Sequence, residues 1–226
     1  MNLETAYDIE TIPNMAIIDR LPAPEVKYGN AKDPAKRAEI EKEAKVSQIE
    51  KLGLSPLTGR ICCAAFFSSI GSEVEVIPSI NDTEEIKLIN YIFATLGKYC
   101  YREDENDIIV TCNGSEFDFR FLYVRAAILK VELPSLCPPL SFWTKRYSHK
   151  PHCDIQREIT SWSPKATGYN LDAMGRMILG RGKTTRDYST YVELIESGEG
   201  NLIGLDCLCD TQLTYEIYQT LKPYLF

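Results

Sequence analysis

The 226-residue chain lacks any apolar run that approaches the roughly 18–20 residues of a membrane span. Its first residues, MNLETAYDIE, also lack the basic start and apolar stretch of a secretory signal. Apolar residues make up 44% and charged residues 25%, which is ordinary for a globular protein. These absences predict a protein without membrane association, located in the cytoplasm.

The sequence also lacks a surplus of basic residues, since 32 acidic residues outnumber 25 Lys and Arg and give a net charge of −7. General DNA-binding proteins usually carry a basic surface, because phosphate neutralisation supplies most of their non-specific affinity. An enzyme that holds a few nucleotides against metal ions can be acidic, since the cations supply the positive charge. The composition therefore disfavours a pure nucleic-acid-binding module more than a metal-dependent enzyme.

Disulfide spacing and zinc-site spacing are absent too, although the chain has eight cysteines. Cys62 and Cys63 are neighbours in an apolar run, which indicates buried thiols rather than disulfides in a chain without an export signal. Two groups could bind zinc, but neither has a second ligand pair at the spacing of a zinc site. They are the CxC pair Cys207 and Cys209, and the loose cluster His149, His152 and Cys153.

The pattern of apolar residues predicts one α/β domain over 1–226, with a mixed sheet. A charged stretch within about 25–56 is rich in Ala, Glu and Lys and predicts a solvated helical insertion. Ser115 is the expected N-cap of a helix that runs to about 130. The predicted strands are 3–10, 60–67, 73–79, 108–112 and one near 152–157; the predicted helices are 31–52, 83–100, 115–130, 170–179 and 203–222.

Two carboxylates close the first predicted strand, in the sequence Tyr7-Asp8-Ile9-Glu10. Residues at i and i+2 of a strand project from the same face, so Asp8 and Glu10 should lie side by side. Exposed strands often carry such a pair, but two carboxylates on a central strand are costly without a cation between them. Oxygen ligands of this kind suit Mg²⁺ or Mn²⁺.

Acids recur at two later places. Asp118 follows a buried strand and an Asn-Gly turn, where the helix dipole alone would favour an acid. Asp206 and Asp210 stand four residues apart on the last predicted helix, so they share one face. That pair could equally be a solvated acidic stripe, and each feature taken alone has a structural explanation.

The ordered combination resembles the DEDD (DnaQ-like) exonuclease superfamily, and within it the phage and prophage proteins related to the exonuclease domain of family B polymerases. The resemblance rests on YDIE, on the insertion followed by IEKLGLSPLTGRI, and on NGSEFDFRFLYVRA, GYNLDAMGRMILG and CDTQLTYEIY, in this order. It covers most of the chain and is weakest at 131–165. It implies an RNase H-like fold with a mixed five-stranded sheet flanked by helices.

The resemblance further implies that Asp8, Glu10, Asp118 and Asp210 bind two divalent cations, Mg²⁺ or Mn²⁺. The implied reaction is 3′–5′ hydrolysis of DNA at single-stranded or frayed 3′ ends, by a two-metal mechanism that releases nucleoside monophosphates. The implied setting is replication or repair in a bacterial or phage-infected cell, with replication proteins as partners. RNA as the substrate, or a non-catalytic member that binds nucleic acid or a replication partner, remains an alternative.

One position departs from the superfamily pattern. Members carry a Tyr four residues, or a His five residues, before the last Asp, and here those positions hold Asp206 and Leu205. We expect Asp206 to orient the attacking water or to bind metal, and we count it among the catalytic candidates. The expected substrate-binding residues are Thr11, Asn113, Phe117 and Lys183; Arg181 and Arg186 are further candidates for phosphate, and Tyr188 and Tyr191 for stacking on bases or packing.

Overall fold

A computed structural model describes residues 3–100, 107–163, 165–183 and 186–225. The described part contains five strands and eight α-helices, with short 3₁₀ turns at Met15–Arg20 and Tyr188–Thr190. The strands are β1 (Glu4–Pro13), β2 (Gly59–Ser68), β3 (Gly71–Val76), β4 (Ile108–Thr111) and β5 (His152–Asp154). The helices are α1 (Pro34–Leu52), α2 (Asp82–Cys100), α3 (Asp118–Ile128), α4 (Leu140–Trp143), α5 (Ile155–Ile159), α6 (Leu171–Leu179), α7 (Tyr191–Glu196) and α8 (Asn201–Leu225).

The five strands form one mixed sheet, which confirms the fold that the resemblance implied, and their order is β3-β2-β1-β4-β5. β1 to β3 make an antiparallel meander, whereas β4 pairs with β1, and β5 with β4, in parallel. β1 therefore lies at the centre of the sheet, and its apolar residues are buried. The carboxylates near its end are consequently held on a strand that is paired with a neighbour on each side.

Helices cover both faces of the sheet. Tyr7 of β1 stacks on Phe66 of β2 at 4.9 Å between ring centroids, and this face packs against α2 and α3 through Tyr91 and Phe119. Because side chains alternate along a strand, the neighbouring residue Phe67 faces the other way and contacts Tyr215 of α8. Asp8 and Glu10 share the α8 face, since they also alternate with Tyr7 and Ile9.

The predicted charged helix is confirmed as α1, which begins at Pro34 with Asp33 as its N-cap. The Asp33 carboxylate accepts from the backbone N–H of Ala35, and a Pro at the first helical position costs no hydrogen bond. Apart from Leu52, the side chains of α1 are exposed or partly exposed. No helix among the described residues is both long and apolar enough to cross a membrane.

The helix after the Asn-Gly turn begins later than expected. α3 starts at Asp118 rather than after Ser115, so the prediction that Ser115 is its N-cap is wrong. The backbone N–H of Ser115 donates instead to Asp154 at the end of β5, 3.0 Å away. Residues 114–117 form a turn instead of the first turn of the helix. The Asp154 carboxylate, 39 residues away, accepts a hydrogen bond within this turn.

Candidate active site

The strand arrangement places Asp8 and Glu10 at an opening in the sheet. The parallel pairing of β1 with β4 ends at Ala6 and Val110, while β1 continues along β2 as far as Pro13. Asp8 and Glu10 are half-buried on the α8 face of this unpaired half of β1. In open α/β sheets, a crevice outside the carboxyl ends of the strands is the usual place for a ligand.

A β-bulge shapes the strand at Glu10. Glu10 pairs with Cys63 and Thr11 with Ile61, so Cys62 is the extra residue of β2. The Cys62 thiol donates to the backbone carbonyl of Glu10 at 3.3 Å, which supplies that carbonyl with a partner at the irregularity. The bulge increases the local twist of β1 just where its acids project.

A tight turn brings Asp118 to β1 from the other side of the crevice. Asn113 has a φ of +71°, and a Cβ on Gly114 would lie 2.3 Å from the Thr111 hydroxyl oxygen, so the Asn-Gly sequence is required here. The turn ends at α3, whose first residue is Asp118. An Asp118 carboxylate oxygen accepts from the backbone N–H of Ile9 at 3.1 Å.

Asp154 and His152, the last and first residues of β5, support that turn. The buried Asp154 carboxylate accepts from the backbone N–H groups of Asn113 and Ser115, at 2.9 and 3.0 Å. His152 Nδ1 donates to the Trp143 carbonyl at 2.5 Å, and Nε2 accepts from the Thr111 hydroxyl at 2.7 Å. Both ring nitrogens are thus engaged, so His152 is not a zinc ligand as one sequence alternative allowed.

Helix α8 supplies the remaining acids. Asp206 and Asp210 are both buried, which excludes the solvated acidic stripe considered from sequence. Each is paired with a basic residue of the segment after α6. The Lys183 ammonium lies 2.5 Å from Asp210, and Arg186 Nε donates to Asp206 at 2.6 Å.

The acids strongly influence one another. Burial, and next the charge of Asp210, raise the pKa of Asp8 to about 7. Burial first and neighbouring acids second raise the pKa of Glu10 and of Asp118 well above the usual range. Burial likewise raises the pKa of Asp210, although Lys183 opposes it. Desolvation alone would lower the pKa of Lys183, but Asp210, Asp8 and Glu10 raise it overall, so its ammonium stays charged.

The donor atoms fit divalent cations. Asp8, Glu10 and the Cys207 thiol each offer one ligand atom within 4.8 Å of the others. Asp210 Oδ1 is buried and has no hydrogen-bond partner within the part of the chain that the structure describes. A buried carboxylate oxygen without a partner is costly unless a cation completes its environment. Carboxylate oxygens at this density are ligands for Mg²⁺ or Mn²⁺.

A cavity of about 460 Å³ adjoins the acids. Of the residues expected to bind substrate, Thr11, Phe117 and Lys183 line it, whereas the side chain of Asn113 accepts from Arg157. Tyr191 is buried and Tyr188 is exposed, and both line the cavity. Other lining residues include Leu54, Asp172, Arg186 and Asp206.

Sequence reasoning missed Leu54, and it considered Cys207 only as part of a CxC pair for zinc, not as a neighbour of the acids. Leu54 lies near the end of the predicted insertion and is 56% exposed. It lines the cavity because the Thr11 hydroxyl donates to the neighbouring Gly53 carbonyl at 2.7 Å. Exposure of a single Leu after a helix carries no sequence signal. Cys207 lies three residues before Asp210, one helical turn away on the same face, and that spacing could have revealed it.

The five-stranded mixed sheet, with carboxylates from three segments in one crevice, is an RNase H-like fold of the exonuclease type. This fold defines the class of the protein. A family profile described as "predicted 3′-5′ exonuclease related to the exonuclease domain of PolB" matches residues 58–224. The chain belongs to that family.

Comparison with solved structures confirms the fold. The family B DNA polymerase of the hyperthermophilic archaeon Pyrobaculum calidifontis aligns with a TM-score of 0.60 and 17% sequence identity. The alignment covers 99% of this chain and 25% of the polymerase, so this chain corresponds to about a quarter of that protein's length. A search of curated proteins gave no match.

Proposed function

We propose that the protein is a metal-dependent 3′–5′ exonuclease that shortens single-stranded or frayed DNA 3′ ends and releases nucleoside monophosphates. One observation carries the proposal: four buried or half-buried carboxylates converge from β1, α3 and α8 with one ammonium group among them. Such an excess of negative charge is unfavourable in the protein alone. It is what a site for divalent cations requires.

Asp8, Glu10, Asp118 and Asp210 would hold two divalent cations, Mg²⁺ or Mn²⁺. When bound, these cations supply the polarisation of the attacking water and of the leaving 3′ oxygen. The Ile9 N–H orients the Asp118 carboxylate, and α8 keeps Asp210 against β1. These contacts fix the carboxylates before substrate arrives, so little reorganisation is needed during the reaction.

The adjoining cavity would receive the terminal nucleotide. Phe117 and the exposed Tyr188 offer aromatic surface against which a base can stack, and Thr11 lies beside Glu10 at the opening. Lys183 would contact phosphate once it leaves Asp210. The Asn113 side-chain oxygen accepts from Arg157, so this residue would shape the turn before Asp118.

Asp206 stands where related exonucleases place a Tyr, and it would orient the attacking water. Arg186 Nε donates to Asp206 Oδ2 at 2.6 Å, and the Asp206 side chain lines the cavity. A carboxylate beside cations stays ionised and accepts a proton poorly, which favours orientation over general-base catalysis. Replacement of Asp206 should therefore lower the rate without abolishing it.

The test is a time course on 5′-labelled single-stranded DNA with Mg²⁺ or Mn²⁺. We expect a ladder that shortens from the 3′ end, that is lost in Asp8→Ala and that is slowed in Asp206→Ala. Matched RNA and 3′-blocked DNA establish sugar preference and polarity. Absence of cleavage of every substrate with either metal would overturn the proposal and favour a protein that only binds nucleic acid.

A further inference from the structure

A cysteine thiol lies among the metal-binding carboxylates. Cys207 on α8 is fully buried, and its sulfur donates to the backbone carbonyl of Asp8 at 3.7 Å. The sulfur lies within 4.8 Å of carboxylate oxygens of both Asp8 and Glu10. This is the spacing at which three side chains can bind one ion, with a soft sulfur ligand beside two hard oxygens.

Asp210 provides a second, independent indication of a ligand. It lies one turn of α8 beyond Cys207 and is 3% exposed, and its Oδ1 has no hydrogen-bond partner within the described residues. Asp210 and Glu10 line the same cavity, so this carboxylate lies on the side of the acids. A further carboxylate oxygen is thus available on the same helix face as the thiol.

A site with both sulfur and oxygen ligands binds soft and hard cations differently. Mg²⁺ prefers oxygen and leaves a buried thiol protonated, whereas Zn²⁺ and Cd²⁺ bind thiolate and carboxylate together. When the sulfur–metal bond forms, the S–H bond breaks and the proton passes to solvent. We propose that Cys207, Asp8 and Glu10 form a site for a thiophilic divalent cation, Zn²⁺ or Cd²⁺, which excludes the catalytic cations and inhibits the enzyme.

Inhibition follows because the two kinds of site share ligands. A cation held by Cys207 occupies Asp8 and Glu10, the same carboxylates that the proposed exonuclease needs for Mg²⁺ or Mn²⁺. Sulfur coordination would draw the cation towards α8 and away from Asp118 at the start of α3. The inhibitory part of this inference rests on the proposed function, whereas the binding part does not.

The first experiment measures binding without nucleic acid. The full chain carrying Cys209→Ser, which removes an exposed thiol, is titrated with Cd²⁺ while the ultraviolet cadmium–thiolate charge-transfer band is recorded. We expect a band that excess Mg²⁺ removes, and that disappears when Cys207→Ala is added. Cys153→Ser is the matched control, because Cys153 is equally buried but lies on β5 away from the trio.

The affinity for Zn²⁺, measured by calorimetry, should fall by at least about tenfold in Cys207→Ala, since even outer-shell partners contribute that much. Circular dichroism checks that the variant is folded. Asp8→Asn provides a second route to the same answer, because it should also lose the band while every thiol remains. A band that survives both changes, or that excess Mg²⁺ leaves intact, would overturn the inference.

The enzymatic consequence is tested separately. Zn²⁺ added to a Mg²⁺ reaction should inhibit the wild type, and Cys207→Ala should need at least about tenfold more Zn²⁺ for the same inhibition. Equal sensitivity of both proteins would overturn the inhibitory role. If no nuclease activity is found but the cadmium band behaves as expected, the proposed function fails and the binding site stands.

Discussion

Two groups of buried charge lie on opposite faces of the same sheet, and they differ in balance. On the α2 and α3 face, Glu85 is fully buried and bound by Arg125 in a two-pronged pair at 2.7 and 2.8 Å. Arg60 adds a bond at 3.2 Å to Glu85 and one at 2.6 Å to Asp82, and the Ile61 N–H donates as well. The two positive and two negative charges therefore balance. We call these four residues, Arg60, Arg125, Asp82 and Glu85, the closed cluster.

The acid cluster on the other side consists of Asp8, Glu10, Asp118 and Asp210, and among the described residues Lys183 is the one cation that forms an ion pair with it. Its members have raised pKa values and one buried oxygen without a partner in the described chain, whereas each charge of the closed cluster is paired. The contrast teaches that burial of charge alone does not mark a functional site. An unbalanced charge does, because the protein tolerates that cost only where a ligand will offset it.

The largest expected effect is on the closed cluster. Arg125→Met leaves Glu85 buried with a weaker partner, so we expect the free energy of unfolding to fall by about 3–5 kcal/mol in urea titrations. Arg120→Met on the same helix is the control, since it removes only an exposed pair with Glu116 and should cost less than about 1 kcal/mol. Similar losses in both variants would mean that the closed cluster is not structural.

The next effect concerns the acid cluster and its cations. At a concentration about a hundred times its dissociation constant, Mg²⁺ or Mn²⁺ should raise the free energy of unfolding by about 2.7 kcal/mol. Asp210→Asn should remove most of that gain, whereas Arg120→Met should keep it. The measurement is thermal unfolding at constant ionic strength. A gain no larger than that from a monovalent salt would show that the acid cluster binds no divalent cation.

Without cations the acid cluster should destabilise the fold. The pKa of Asp8 is about 7 in the folded protein and near 3.8 when unfolded, so the folded state binds more protons between these values. Its stability therefore falls as pH rises from about 4 to about 7. The shift corresponds to roughly 4 kcal/mol, which we reduce to about 1–2 kcal/mol because Asp8 is partly exposed and screened.

In the presence of a chelator that removes metal ions, Asp8→Asn should therefore raise the free energy of unfolding by about 1–2 kcal/mol at pH 8 and by almost nothing at pH 4. Urea titrations at the two pH values measure the difference. Asp172→Asn is the matched control, since bonds to Arg176 lower the pKa of Asp172 and the change should not stabilise at either pH. Stabilisation by Asp8→Asn that is equal at pH 4 and pH 8 would contradict the electrostatic explanation.

The acid cluster was predictable from sequence to a larger extent than the closed cluster. The spacing of Asp8 and Glu10 fixes their common face, and the Asn-Gly turn after a buried strand places Asp118 at the start of a helix, so local geometry carries the information. The helix over 170–179 was also predictable from local sequence, because Asn170 caps its start and Gly180 ends it with a φ of +71°. Both features follow from a few neighbouring residues.

The closed cluster has no local signature. Glu85 resembles an ordinary acid in the first turn of a helix, and its partners lie 25 and 40 residues away, on a strand and on another helix. The ion pairs of Lys183 and Arg186 were missed for the same reason. They depend on how the segment after α6 returns to α8, which is a property of the tertiary structure.

The smallest expected effect concerns Asp206, which belongs to neither cluster. Arg186 is about a third exposed, so its pair with Asp206 should contribute at most about 1 kcal/mol in a double-mutant cycle with Arg186→Gln and Asp206→Asn. A cycle with Arg125→Met and Glu85→Gln is the reference and should give a larger coupling. A weak pair can open when substrate arrives, which leaves the Asp206 carboxylate available to orient water. A coupling as strong as that of Arg125 with Glu85 would instead make Asp206 a structural residue, and its proposed role in the reaction would have to be abandoned.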